Sequence, residues 1–270
     1  MAHFTILDSF SLGGFFQSSG NRVWLFLAGA FLTINILAPN PAQAQEDGFS
    51  AFQPNYILGY KNQETGGTNL KFQLSVKSEL LTVVPLFFGF TQTCDWHYGS
   101  PSAPFETCDY NPSVFLKWDR PVWAFSLGRD HKSNGEGSEP DENGVVRSRS
   151  MNSHFVDGEI RGDHWALGLR VWKAFNTDDS ENIDKYYGIA EPRARLFLND
   201  NFDLRITGRK GTEYGYVMTE LFSKLPIPDT KAHIYLQWFQ GHGEYMLNIV
   251  PEGAQADRKN QIMLGVAFTK

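Results

Sequence analysis

The chain has 270 residues, of which 20% are charged and 14% aromatic. Such a composition excludes a disordered chain, and the length leaves room for one large domain or two small ones. A formal net charge of −6, with no run rich in Lys and Arg, argues against a nucleic-acid partner, which needs a basic patch.

In chain order, the first feature is an apolar run from Val23 to Leu37, preceded by Arg22 and followed by Ala42-Gln43-Ala44. A positive residue, a short apolar core and small residues at −3 and −1 read as a secretory signal cleaved after Ala44. A transmembrane helix is the competing reading, but about 20 apolar residues are needed to span a bilayer. This run is shorter and contains Thr33 and Asn35. The expected organisation is a leader over 1–44 and one mature domain over 45–270, delivered to an oxidising compartment.

Beyond Gln45 helical periodicity gives way to alternation of period two, punctuated by Gly, Pro, Asn and Asp. Leu70, Phe72, Leu74 and Val76 alternate with Lys71, Gln73, Ser75 and Lys77, and Trp165, Leu167, Leu169 and Val171 alternate with smaller or polar residues. The same pattern predicts strands over 55–60, 70–79, 86–95, 110–117, 122–131, 153–161, 164–173, 186–198, 202–209, 214–221, 232–239 and 261–269. Twelve short segments, apolar on one face only, predict an all-β fold, a twelve-stranded antiparallel transmembrane β-barrel of a bacterial outer membrane. Tyr56, Tyr60, Tyr186, Tyr187, Tyr214, Tyr216 and Trp238 lie near strand ends, where an interfacial girdle would place them. A secreted sandwich or an enclosed ligand-carrying barrel is the alternative, but it would hide these apolar faces in a core.

Cys94 and Cys108 enclose Trp96, Tyr98, Gly99, Pro101 and Pro104. In a secreted chain the favoured reading is a disulfide stapling one long loop. A metal site with His97 and a pair of free thiols are the alternatives.

The stretch Gly128-Arg129-Asp130-His131-Lys132-Ser133-Asn134-Gly135 carries the candidate chemistry. Trp123, Phe125 and Leu127 share the parity expected to face lipid, and continuing it reaches Arg129, His131 and Ser133. Residues i and i+2 of a strand project to one face, so His131 and Ser133 are expected side by side on the outer wall. Histidine can take the hydroxyl proton that serine must lose to act as a nucleophile. A third group must orient the imidazole, and Asn152, at the start of the next strand, is the candidate. By itself His-x-Ser is a weak signal, common in exposed loops.

Those residues do not stand alone. Asn55-Tyr56, Lys71-Phe72-Gln73-Leu74-Ser75, Thr91-Gln92, Ser102-Ala103-Pro104-Phe105, Tyr110-Asn111-Pro112, His131-Lys132-Ser133-Asn134-Gly135, Ser148-Arg149-Ser150-Met151-Asn152 and Asn176-Thr177-Asp178-Asp179 occur in this order. Along most of the mature chain they resemble the outer membrane phospholipase A family, calcium-dependent phospholipases A1. The resemblance implies a twelve-stranded barrel that hydrolyses acyl esters of membrane phospholipids, with Ser133 as nucleophile, His131 as base and Asn152 orienting His131. Backbone N–H groups around Ser133 and Gly135 are the candidates for oxyanion stabilisation. It further implies Ca2+ held by Ser148, the carbonyl of Glu136 and Ser102 of a second copy in a homodimer, all oxygen donors suited to a hard cation. Gln92 matches a polar residue of the family's dimer interface.

Several residues depart from the family pattern. The segment 136–147 is longer than the family loop, which weakens the Glu136 assignment. Its acids Glu139, Asp141 and Glu142 read as a solvated loop, with added calcium ligands as the alternative. Met151 stands where the family has Trp, and the chain ends Phe268-Thr269-Lys270 rather than on an aromatic residue. Arg129 takes an outward position where an aromatic is usual, and can bind lipid phosphate or snorkel as an anchor. A non-catalytic barrel, porin-like or structural, is the competing function, and a soluble β-protein for apolar ligands is a third.

Overall fold

The computed structural model describes residues 48–62, 66–81, 83–137, 139, 146–175, 177, 182–228, 230–249 and 256–269. They belong to one compact unit, Glu46–Lys270. The leader expected over 1–44 lies outside the described residues.

The alternating segments form twelve strands: β1 (Asn55–Lys61), β2 (Thr68–Leu81), β3 (Leu86–Trp96), β4 (Phe105–Asp119), β5 (Trp123–Ser133) and β6 (Ser150–Arg161). They continue as β7 (Trp165–Phe175), β8 (Ala190–Asn199), β9 (Phe202–Lys210), β10 (Gly215–Lys224), β11 (Ala232–Gly241) and β12 (Lys259–Phe268). Each strand pairs antiparallel with its neighbours in sequence, and β12 returns to β1 through Leu264↔Gly59 to Phe268↔Asn55. The sheet is closed, so no edge is left unpaired, as hydrocarbon surroundings require. A two-residue strand, Phe49–Ser50, adds to the end of β2.

Side-chain parity separates the two faces. Leu74, Leu167, Ile262 and Leu264 point outward and are 50 to 68% exposed, forming an apolar wall that only a lipid surrounding would cover. Most inward residues are polar or aromatic. One cluster joins Leu58, Tyr60, Phe222, Tyr235, Phe239 and Met263, and another stacks Phe52 and Phe87 on Phe115. Between them a cavity of about 570 Å³ persists, bordered by Lys77, Lys117, Asp157, Arg193 and Arg205.

Short connections (82–85, 120–122, 162–164, 200–201) gather at one end of the barrel, and the longer ones (97–104, 134–149, 176–189, 242–258) at the other. The described parts of two of them, 182–189 and 242–249, fold into the mouth. A short helix, α1 (Ile183–Tyr187), packs Ile183, Tyr186 and Tyr187 against Met151, Met246 and Ile249. The buried pair Lys71–Glu244 at 2.7 Å, with Lys71 also donating to Gln237, fastens the second. Burial, reinforced by Glu244, pushes the Tyr245 phenol well above its usual range, so this inserted loop adds a neutral side chain there.

Two expectations need correction. Residues 186–189 precede β8 rather than open it, because Tyr186 and Tyr187 gain more by burial in the mouth than by pairing. The aromatic girdle also differs. Tyr56, Tyr60 and Tyr216 line the interior and Tyr186 and Tyr187 the mouth, Tyr214 packs on Tyr186 and His242, and of the residues expected there Trp238 faces outward.

Candidate active site

The site is built from hydrogen-bonded rows that run across neighbouring strands on the outer wall. In the row nearest the long loops, Gln92 pairs with Tyr110, Tyr110 with Ser133, and Ser133 with Ser150. In the next row His131 pairs with Asn152, and Asn152 with Phe175. His131 and Ser133 therefore share the outward face of β5, roughly 7 Å apart along the strand. Asn152 stands directly across from His131, at the cross-strand spacing of about 5 Å between Cα atoms. Lys132, between them, points inward, where its Nζ donates to Tyr187 at 2.7 Å and lies 3.4 Å from Asp109.

A proline shapes this row. Phe90 pairs with Pro112 on β4, and Pro112 has no N–H to give to the next strand. Asn111 substitutes for it: its Nδ2 donates to the carbonyl of His131 at 2.8 Å. That bond fixes the backbone at His131 at the point where the ladder between β4 and β5 lapses, since an unsatisfied buried carbonyl would be costly.

Asn134 closes the neck of the loop that follows. It is 4% exposed, and its backbone N–H donates to the carbonyl of Arg149 at 3.1 Å. Its side-chain Nδ2 donates to the carbonyl of Arg147 at 2.7 Å, and its Oδ1 accepts from the N–H of Arg149 at 2.9 Å and of Glu136 at 3.4 Å. One amide thus binds Glu136, a candidate ligand, and both neighbours of Ser148, the other candidate ligand of this chain. Gly135 turns the chain there with φ of 68°. A Cβ at this position would lie 2.7 Å from the Tyr110 ring, so both backbone and packing demand glycine.

The inserted loop supports the site from inside. The N–H of Met246 donates to Asp109 at 3.0 Å, and Arg149 Nε donates to the carbonyl of Ile249 at 2.9 Å. Arg149 also donates to the carbonyls of Val146 and Ser148, at 2.9 and 2.6 Å.

The cysteines are bonded: Cys94 and Cys108 are direct partners of β3 and β4, with Sγ atoms 2.04 Å apart. Gln92 Nε2 donates to Cys94 Sγ at 3.3 Å. Beyond the disulfide, Ser102 and Ala103 adopt positive φ, 63° and 40°, a conformation that costs non-glycine residues energy and often marks functional loops. Trp96 Nε1 holds this turn by donating to the carbonyl of Ala103 at 2.7 Å. Ser102 is left exposed at the rim.

Among the described residues no group of three or more His, Cys, Asp and Glu could hold a metal ion. Any cation here would rely on hydroxyl and carbonyl oxygens, the donor set of Glu136, Ser148 and Ser102, which suits a hard ion. Asp141 and Glu142 lie outside the described residues. Sequence reasoning did not single out Asn134, Asn111, Lys132 or Arg149 for a role. For Asn111 the adjacent proline was a usable signal, since a strand proline leaves a partner carbonyl to satisfy.

The family model for phospholipase A1 matches residues 41–266. Outer membrane phospholipase A from Escherichia coli has a similar structure, with a TM-score of 0.70 and 22% identity over 85% of this chain and 95% of that one. A variant of that protein, with an active-site asparagine replaced by alanine, also gives 0.70, at 21% identity over 85% and 95%. The Salmonella typhi outer membrane phospholipase, as a dimer with bound calcium, gives 0.70 at 21% identity over 87% and 96%. At these identities the likeness shows a common fold. No curated protein matches the chain at a significant level.

Proposed function

The chain belongs to the phospholipase A1 family, and from that membership we propose that it cleaves the acyl esters of phospholipids in an outer membrane with Ser133, His131 and Asn152. The observation that carries this reading is the register: an outward His131 with Asn152 across from it and Ser133 two residues on. A buried lumenal enzyme would need the opposite parity.

In the proposed reaction the Ser133 hydroxyl attacks the ester carbonyl as His131 accepts its proton. Asn152 accepts the other ring N–H and so holds the imidazole in the tautomer whose free nitrogen faces Ser133. A neutral amide suits a lipid-facing wall, where an unpaired carboxylate would be costly to desolvate. Backbone N–H groups near Ser133 and Gly135 stabilise the oxyanion. His131 then returns the proton to the departing glycerol oxygen, leaving an acyl ester on Ser133, and water releases the fatty acid by the same route. With no enclosing pocket, the site should accept sn-1 and sn-2 esters and lysophospholipids alike.

Ca2+ would be held by the hydroxyl of Ser148, the carbonyl of Glu136 and Ser102 of a second copy. When bound it supplies positive charge next to the developing oxyanion. Gln92 fits the same assembly, because it lies in the row of Ser133, outward and half-buried among Leu74, Tyr110 and Cys94. An amide on an apolar wall is costly alone and satisfied when two copies pair about a twofold axis. A porin-like role is disfavoured by the aromatic clusters inside the barrel and by the packing of Ile183–Tyr187 with Met246 and Ile249 in its mouth.

The test is fatty-acid release by protein refolded in detergent, with and without Ca2+. Release should require Ca2+, vanish in Ser133→Ala and fall in Asn152→Ala. Undiminished hydrolysis by Ser133→Ala would sink the mechanism.

A further inference from the structure

One row below His131 and Asn152 on the outer wall, Phe88 pairs with Val114, Val114 with Arg129, Arg129 with His154, and His154 with Lys173. Three basic side chains thus stand side by side on β5, β6 and β7, all exposed. The row beneath them is Leu86, Leu116, Leu127, Val156 and Val171, apolar throughout. Neither row above these basic residues places a carboxylate on these strands. The acid nearest in sequence, Asp130, points inward to Ser153 and Arg170.

The hydrocarbon face of this wall therefore ends at a line of basic side chains. On β3 and β4 the same row is still apolar, with Phe88 and Val114. Basic groups facing lipid are costly unless they reach the interface or meet an anion, and two of these are drawn towards Ser133. The Arg129 guanidinium lies 4.7 Å from the centre of the Phe175 ring, and the His154 ring stacks on Phe175 with centroids 4.7 Å apart. Phe175 belongs to the row of His131 and Asn152, so both basic groups are held beside the catalytic pair.

We infer that Arg129, His154 and Lys173 bind the phosphodiester of the lipid whose ester is presented to Ser133, and so select glycerophospholipids over neutral glycerides. The inference rests on the proposed role of Ser133. Planar guanidinium and imidazole N–H groups fixed on an aromatic face are pre-organised donors for phosphate oxygens, and Lys173 adds a mobile charge.

The test compares wild type with Arg129→Gln, His154→Gln, Lys173→Gln and their combination on a diacyl phospholipid and on the diacylglycerol with the same chains. Folding is checked by the heat-dependent shift in gel mobility. The triple variant should raise KM for the phospholipid about tenfold, the scale of one charged hydrogen bond, with kcat and diacylglycerol hydrolysis unchanged. Equal losses on both lipids, or no loss on either, overturn the inference. Arg129→Lys, which keeps the charge but loses the planar fork, should fall between wild type and Arg129→Gln in phospholipid KM, and a KM no better than that of Arg129→Gln with intact folding overturns charge recognition.

A second arm uses Ser133→Ala and an ether-linked phospholipid, which has the phosphate but no ester. Ser133→Ala should retain this lipid on purification, and the added triple substitution should lose it. Displacement by millimolar inorganic phosphate would make the row a free-phosphate site and refute the lipid assignment. Because this arm needs no turnover, it decides the row even if Ser133→Ala still hydrolyses lipid and the catalytic reading fails.

Discussion

Truncating Asn134 to alanine tests whether the loop neck sets the affinity for Ca2+. Alanine removes the bond to the carbonyl of Arg147 at 2.7 Å and the one from the N–H of Arg149 at 2.9 Å, besides the longer contact from Glu136 at 3.4 Å. Two good hydrogen bonds at about 1 kcal/mol each total about 2 kcal/mol, with the third contributing less. The backbone bond from Asn134 N–H to Arg149 survives, so β5 and β6 stay paired. If the neck serves to hold Glu136 and Ser148 at one cation, the loss appears as weaker binding, up to about 30-fold in half-saturating Ca2+. Asn134→Asp keeps the acceptor oxygens but loses the donor to Arg147, and should shift it by about one bond, or fivefold. The assay is fatty-acid release titrated with Ca2+, with kcat read at saturation. An unchanged half-saturating concentration in Asn134→Ala, with only thermal stability lowered, would refute the reasoning.

Gly135→Ala places a Cβ 2.7 Å from Tyr110 at φ of 68°, a backbone cost of about 1–2 kcal/mol before the clash. It should lower activity at least tenfold, whereas Gly137→Ala, where a Cβ meets nothing within 4 Å, should match wild type; similar values for the two would remove the packing argument. Lys71→Met leaves Glu244 buried without its partner, at about 3–5 kcal/mol, and should free the inserted loop. Faster proteolysis within 242–258, with the barrel intact, is the expected readout, and a wild-type cleavage rate counts against it. Replacing Cys94 and Cys108 by alanine opens a loop closed over 14 residues, a loss of about 3 kcal/mol on the chain-entropy view. The unfolding midpoint should fall relative to oxidised wild type, and reductant should have no effect on the variant.

Much of the fold was legible because lipid enforces parity. Trp123, Phe125 and Leu127 on one side and Ala124, Ser126 and Gly128 on the other left a single orientation for β5, and with it the outward face of His131 and Ser133. In β1 the same logic failed: Tyr56, Leu58 and Tyr60 form the more apolar face yet point inward, while Ile57, Gly59 and Lys61 face out, so the tyrosines passed for a girdle. Tyr186 and Tyr187 misled for another reason. Their burial depends on Met151, Met246 and Ile249, partners remote in sequence that no local pattern reveals. The role of Asn134 was hidden likewise, since its partners lie across a loop. Arg129 stood out as an oddity on its strand, but its alignment with His154 and Lys173 is a property of register between strands.

If Ser133 is the nucleophile, as proposed, its place on the outer wall changes what concentration means for this enzyme. Substrate would then reach Ser133 by sliding within a leaflet, so the governing quantity would be the mole fraction of lipid around the barrel, whatever the bulk amount. Added inert detergent would then slow the reaction by diluting the surface alone. A leaflet poor in hydrolysable lipid would keep the enzyme idle while fully folded, and any event that moves lipid between leaflets would set its pace.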